Sequence, residues 1–236
     1  MSKRLTKEIG DLKERILALG AEVEDRVRLA VVSIHGRDAA LAARVIDGDR
    51  AIDAMEVDLE EECLKVLALH QPMAVDLRTI VAVLKIDNDL ERIGDLAVNI
   101  AERAVNLAAL PPFTMPFTFD DMASLTQDML RKSLDALVFV DADAALAVCE
   151  EDEKVDAAHR GMYGILRREV EEDPARLDYL THLMNVSRYL ERIADHATNI
   201  AEDVIYLAQG EIVRHHAREL RDRPPRAPGP ATSGQV

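Results

Sequence analysis

The chain carries one phrase twice. Residues 90–102 read "LERIGDLAVNIAE" and residues 190–202 read "LERIADHATNIAE", identical at ten of thirteen positions with a constant offset of 100 residues (191 − 91). A copied segment of this kind implies a copied structural unit, so the fold must be built from two like halves. Around each copy, apolar residues recur every three or four positions, which places them on one stripe of a helix. Ile86, Ile93, Ile100 and Leu107 share a heading, with Ala97 and Ala104 beside them; Ile193, Ile200 and Leu207 repeat it.

The same periodicity organises the rest of each half. Leu5, Ile9, Leu12, Ile16, Leu19, Val23, Val27, Ala30 and Ile34 mark a long first helix that stops near "HGRD". A short helix over Ala39 to Ile46 is predicted to break at "DGD", and a third carries Ile52, Met55, Leu59, Cys63 and Val66 as far as "HQP". Pro72 suits the first turn of a fourth helix running to about Leu110. The stretch "LPPFTMPFTF" holds three prolines and reads as a linker. Beyond it the pattern returns, with helices over Asp120 to Val140, Ala142 to Cys149, Asp152 to Glu172 and Pro174 to Gln209. The corners match as well, "VIDGDRAID" against "VCEEDEKVD" at an offset of 103 (148 − 45). By contrast "QPMAVDLR" has only a loose echo, "DPARLDYL", in the second half.

The predicted architecture is therefore all-α, a tandem repeat of two bundles of three long helices. Its parts are a first repeat over residues 1–112, a linker over 113–119, a second repeat over 120–212, and a tail over 213–236. The end of that tail is rich in Pro, Gly and Ser and is expected to be disordered.

Composition narrows the function. Hydrophobic residues make up 48% of the chain with no Trp and only 3% aromatics, which suits an aliphatic helix-packed core. The formal net charge of −15 disfavours nucleic acid and anionic lipid, and favours cations and basic protein surfaces. The two cysteines, Cys63 and Cys149, form no C-x-x-C pair, and the N-terminus "MSKRLTKEIGDLKERI" lacks the apolar core of a signal peptide. No run approaches the ~20 apolar residues of a membrane span, so a cytoplasmic protein is expected. Neither a nucleotide-binding glycine loop nor a nucleophile–base set is present, and no enzyme activity is expected.

The repeated acids are what a core requirement leaves unexplained. Glu91, Asp95, Asn99 and Glu102 head almost opposite to the isoleucine stripe, as do Glu191, Asp195, Asn199 and Glu202. Solvation is the common fate of such a face, and with 44 Asp and Glu among 236 residues chance supplies about eight acid pairs at this spacing. Like charges at i, i+4 nevertheless repel on an isolated helix, and these recur with the same neighbours. Asp49-x-x-x-Asp53 and Asp152-x-x-x-Asp156 supply a second pair in each half. Two acidic pairs on adjacent helices suit a cation, and oxygen-only ligands favour Mg²⁺, Mn²⁺ or iron ahead of Zn²⁺. A solvated face and a metal site both remain open at this level. A di-iron carboxylate enzyme would need two Glu-x-x-His motifs, and the nearest approach is the single Asp156-x-x-His159. A helical adaptor that binds partners and no metal is a further alternative.

The two copied phrases, together with "QPMAVDLR", resemble the PhoU family of phosphate-signalling regulators over about residues 3 to 212. The resemblance implies metal-binding surfaces formed by Asp49, Asp53, Glu91 and Asp95 in the first half, and by Asp152, Asp156, Glu191 and Asp195 in the second. Asn99 and Asn199 would be supporting ligands. It also implies a negative regulator of phosphate uptake and of the phosphate-starvation response. The implied partners are the ATPase subunit of the phosphate ABC transporter and a phosphate-sensing histidine kinase, and the chain would be a homodimer that meets the membrane only through those partners.

Overall fold

The computed structural model describes residues 3–210, and the expected tail lies outside them. Among the described residues there are six α-helices and no strand: α1 Lys3–Gly36, α2 Ala39–His70, α3 Val75–Ala109, α4 Asp120–Phe139, α5 Ala142–Glu172 and α6 Leu177–Gln209. The first three pack on one another, as do the last three, and α3 lies against α6 along the middle of the molecule. The apolar stripes predicted for α1, α3 and α6 are the buried faces. Ile16, Leu19, Val23 and Val27 meet Ile86, Ile93 and Ile100 in one aliphatic core, and Ile193 and Ile200 belong to its second half.

The helix corners repeat too. Arg37 and Val140, 103 residues apart, both adopt the left-handed conformation, with φ of 48° and 52°. Asp38 and Asp141 follow as N-caps, the first accepting from the Leu41 amide and the second from the amides of Asp143 and Ala144. Three details of the sequence reading are corrected here. Neither the "DGD" segment nor its counterpart at Glu150 interrupts a helix: α2 and α5 are each continuous, so each half has three helices. Gly48 is there for space rather than for a break. A Cβ on it would lie 1.5 Å from Nη1 of Arg26, whose guanidinium reaches across from α1 to the carbonyls of Arg44 and Val45. Thirdly, Pro72 precedes its helix, because Gln71 and Ala74 take positive φ values and α3 starts only at Val75. The second half makes the same corner with a single 3₁₀ turn at Pro174–Arg176, which explains why the echo of "QPMAVDLR" is loose.

The proline-rich linker is packed in place. Phe113 stacks on Tyr179 with ring centroids 4.0 Å apart. Arg37 lies over the other side of that segment, 5.0 Å from the Phe113 centroid, and donates to the carbonyls of Leu107 and Leu110 at the end of α3.

Candidate metal centres

In the first half the acids of α2 and α3 face one another across the groove between these two helices. A short corner joins them, so they run antiparallel, and their acid rows pair in reverse order. Asp49 has its carboxyl pushed up by loss of water and then by the charges of Asp53 and Asp95. Glu91 is pushed up by loss of water and by Asp95, Glu56 and Asp53, against the opposing pull of Arg92. Gly94 permits the close approach. A Cβ there would sit 3.4 Å from Cγ2 of Ile52 and 3.8 Å from Oδ1 of Asp49. The acids therefore line a half-buried flank, and α3 is covered on its remaining sides by α1 and α6.

The second half repeats the arrangement between α5 and α6. Glu191 is raised by loss of water and by Asp156 and Asp152; Asp195 is raised by loss of water and by Glu191 and Asp156. Each of the four mutual relationships expected from the repeated pairs is thus present in both halves. The arginines sit as flanking counter-charges. Arg92 lies 3.3 Å from both Glu91 and Asp95, and Arg160 lies 3.6 Å from Asp156.

These residues fit a hard cation in donor chemistry. Carboxylates held together at the cost of raised pKa values are relieved when a positive ion joins them. Two of the oxygens, Oδ1 of Asp87 and Oε2 of Glu91, are buried without a hydrogen bond. Among the described residues, however, no three carboxylate, histidine or cysteine groups already converge as a finished cage. Mutual repulsion accounts for that spacing, since rows of like charge move apart until an ion draws them in.

With this geometry in view, the PhoU domain pattern matches residues 16–104 and again residues 119–204, one match for each half. The chain belongs to the PhoU family. The "Phosphate-specific transport system accessory protein PhoU homolog" of Aquifex aeolicus is 40% identical over 217 residues, covering 92% of this chain and 98% of the relative. The crystal structure of PhoU from Pseudomonas aeruginosa superposes with a TM-score of 0.85 at 38% identity, covering 87% of this chain and 99% of that one. The structure of "the phosphate transport system regulatory protein PhoU" from Streptococcus pneumoniae superposes with a TM-score of 0.79 at 27% identity, over 89% and 99%.

Not every residue of the repeated PhoU phrase faces a groove. Asn199 donates to Oδ1 of Asp89 on α3, where His196 also bonds at 2.7 Å, so it belongs to the seam between the bundles. Asn99 continues the acid row one turn past Asp95 and is half-buried. Glu202, read above as outward, is buried at 9% exposure. The side of α6 that faces away from its own bundle is covered by α3. There Glu202 shares a polar cavity of about 480 Å³ with Lys85, Asp89, Asn199 and Asp203. Glu102 is exposed as expected and pairs with Arg103 at 3.1 Å.

Sequence reasoning also missed part of the first groove. Asp87 is only 2% exposed, and its carboxyl is pushed up to about 7 by burial and by Glu56, Glu60 and Glu91. Asp87 stands four residues before Glu91, so the acid row could have been followed one turn further back. Attention to what the two copies share passed over it.

Proposed function

We propose that this chain is a non-enzymatic regulator that restrains phosphate uptake and the phosphate-starvation response. It acts by contact with the ATPase subunit of the phosphate ABC transporter and with the phosphate-sensing histidine kinase, and it carries metal in its two acid grooves. The observation that carries the reading is the pair of facing carboxylate rows, present in both halves of a chain that spans PhoU relatives along almost their whole length. Asp49, Asp53, Glu91 and Asp95 would hold the ion or ions of one groove, and Asp152, Asp156, Glu191 and Asp195 those of the other. A bound cation supplies positive charge that neutralises each row and pins two helices of a bundle together. The helices themselves supply an aliphatic core that needs no metal to form, so the grooves are free to act as recognition surfaces.

No helix among the described residues is long and apolar enough to cross a membrane. Contact with a transporter would therefore run through its soluble subunit, and the strongly negative chain would be steered by basic partner surfaces. The test has a cellular and a molecular arm. Deleting the gene in its host should raise phosphate-starvation reporters in high phosphate. The purified chain should bind the ATPase subunit or the kinase, with an association rate that falls as salt is added. Unchanged reporters together with no binding at low salt would refute the regulatory reading. Separately, protein purified without chelator should contain metal that is lost in the variant Glu91→Gln with Asp95→Asn.

A further inference from the structure

The two grooves are alike at eight acids and unlike at one level. At the inner end of the first groove, one turn from Glu91, stands Asp87, with Glu56 and Glu60 opposite it on α2. Glu60 is at the exposed mouth, Glu56 is half-buried, and Asp87 is enclosed, its Oδ1 without a hydrogen-bond partner. Behind it lies Cys63, whose thiol is pushed up to about 12 by burial and then by the charges of Asp87, Glu60 and Glu62. That thiol stays neutral and offers no soft anionic ligand. An enclosed carboxylate oxygen aimed at two further carboxylates, with no donor supplied by the protein, is a position that lacks its counter-charge.

The second half shows what the same position looks like when the chain completes it. By the offsets that align the repeats, Glu56 becomes His159, Glu60 becomes Tyr163 and Asp87 becomes Ser187. His159 and Ser187 close on each other, with Nδ1 to Oγ at 2.7 Å. Burial holds the His159 imidazole below its usual pKa, so the pair is neutral above that range. Every acid of this level has been exchanged for a residue that needs no cation. The outer level, Asp49, Asp53, Glu91 and Asp95 against Asp152, Asp156, Glu191 and Asp195, is kept unchanged.

We propose that Asp87, with Glu56 and Glu91, forms an additional hard divalent-cation position at the inner end of the first groove, so that the two repeats bind unequal numbers of ions. The proposal rests on the reading of the grooves as metal sites. It goes beyond that reading by adding a position that the repeated motif does not contain. Three carboxylates, one of them enclosed, match an oxygen-seeking ion such as Mn²⁺ or Mg²⁺.

The test uses the full chain, stripped with chelator and titrated with Mn²⁺, the bound ion being counted from the loss of the free-ion electron paramagnetic resonance signal. The wild type is expected to bind one more Mn²⁺ in its first repeat than in its second. Asp87→Asn should lose one ion per chain, or hold it at least tenfold more weakly, with unchanged helical circular dichroism. Glu191→Gln with Asp195→Asn should empty the second groove and leave the Asp87-dependent ion in place. The reciprocal variant, His159→Glu with Ser187→Asp, rebuilds the level in the second half without touching Asp87, and should gain one ion. If Asp87→Asn binds Mn²⁺ as the wild type does while Glu91→Gln with Asp95→Asn loses it, the grooves hold metal and the added position does not exist. The position is likewise overturned if Asp87→Asn fails to fold and the reciprocal variant gains nothing. A wild-type chain that binds no Mn²⁺ at all overturns both the added position and the metal reading beneath it.

Discussion

Replacing Asp87 by Asn should make the metal-free protein more stable above neutral pH. Asp87 is 2% exposed, so solvent screens its charge little, and its carboxyl is raised from 3.8 to about 7. The groups that face it are Glu56, Glu60 and the neutral Cys63 on α2, and Glu91 on its own helix. Because the folded chain holds this proton more tightly than the unfolded chain, stability is greatest at low pH. It falls as pH rises from about 4 to about 7, then levels off. Each pH unit across that window is worth about 1.4 kcal/mol, so the ionised side chain costs the fold on the order of 4 kcal/mol at pH 8. Asparagine keeps the shape and loses the charge, but leaves a buried amide to satisfy at about 1–2 kcal/mol. The variant should then be roughly 2–3 kcal/mol more stable than wild type at pH 8, a rise in Tm of roughly 5–10 °C for a chain of this size. At pH 5 the advantage should vanish or reverse. Guanidinium unfolding of both proteins at pH 5 and pH 8, with chelator present, measures the difference. Equal differences at the two pH values would mean that Asp87 carries no buried charge, and the reasoning would fail.

Other parts of the structure yield expectations of their own. Arg37→Ala removes the donors to the Leu107 and Leu110 carbonyls and the cation over Phe113. It should destabilise the fold by about 1–3 kcal/mol and speed proteolysis within residues 110–119, read by limited digestion. Gly94→Leu would drive a side chain into Ile52 where α2 meets α3. It should cost about 1–3 kcal/mol in chemical denaturation and weaken Mn²⁺ binding in the first groove, whereas Gly94→Ala, the residue the second repeat already carries at 194, should be tolerated. Cys63 and Cys149 are both buried and free. Neither should react with a thiol reagent at pH 8 until denaturant is added, and prompt native-state labelling would show that one of them is reachable.

Much of this molecule could be read from spacing alone. The three-and-four step of Leu5 to Ile34 and of Ile86 to Leu107 placed α1 and α3 and named their buried faces, because a helix converts sequence distance directly into angle. The constant offset between the copied phrases gave two like halves for the same reason. Local signals failed where a distant side chain decided the outcome. Gly48 between two aspartates looks like a break until Arg26 arrives from α1 to fill the space beside it. The face of α6 bearing Glu202 looks solvated until α3 covers it. The acids shared by both copies could be proposed as a set, since identity between repeats is visible in one dimension. That Asp49 meets Asp95, that Asp87 is enclosed among Glu56, Glu60 and Glu91, and that Ser187 closes on His159 depend on which helices lie side by side and in what register. Periodicity fixes the heading of a side chain about its own helix axis; only the packing of α2 on α3 and of α5 on α6 determines what that side chain meets, and hence whether its charge is solvated, paired or left waiting for a cation.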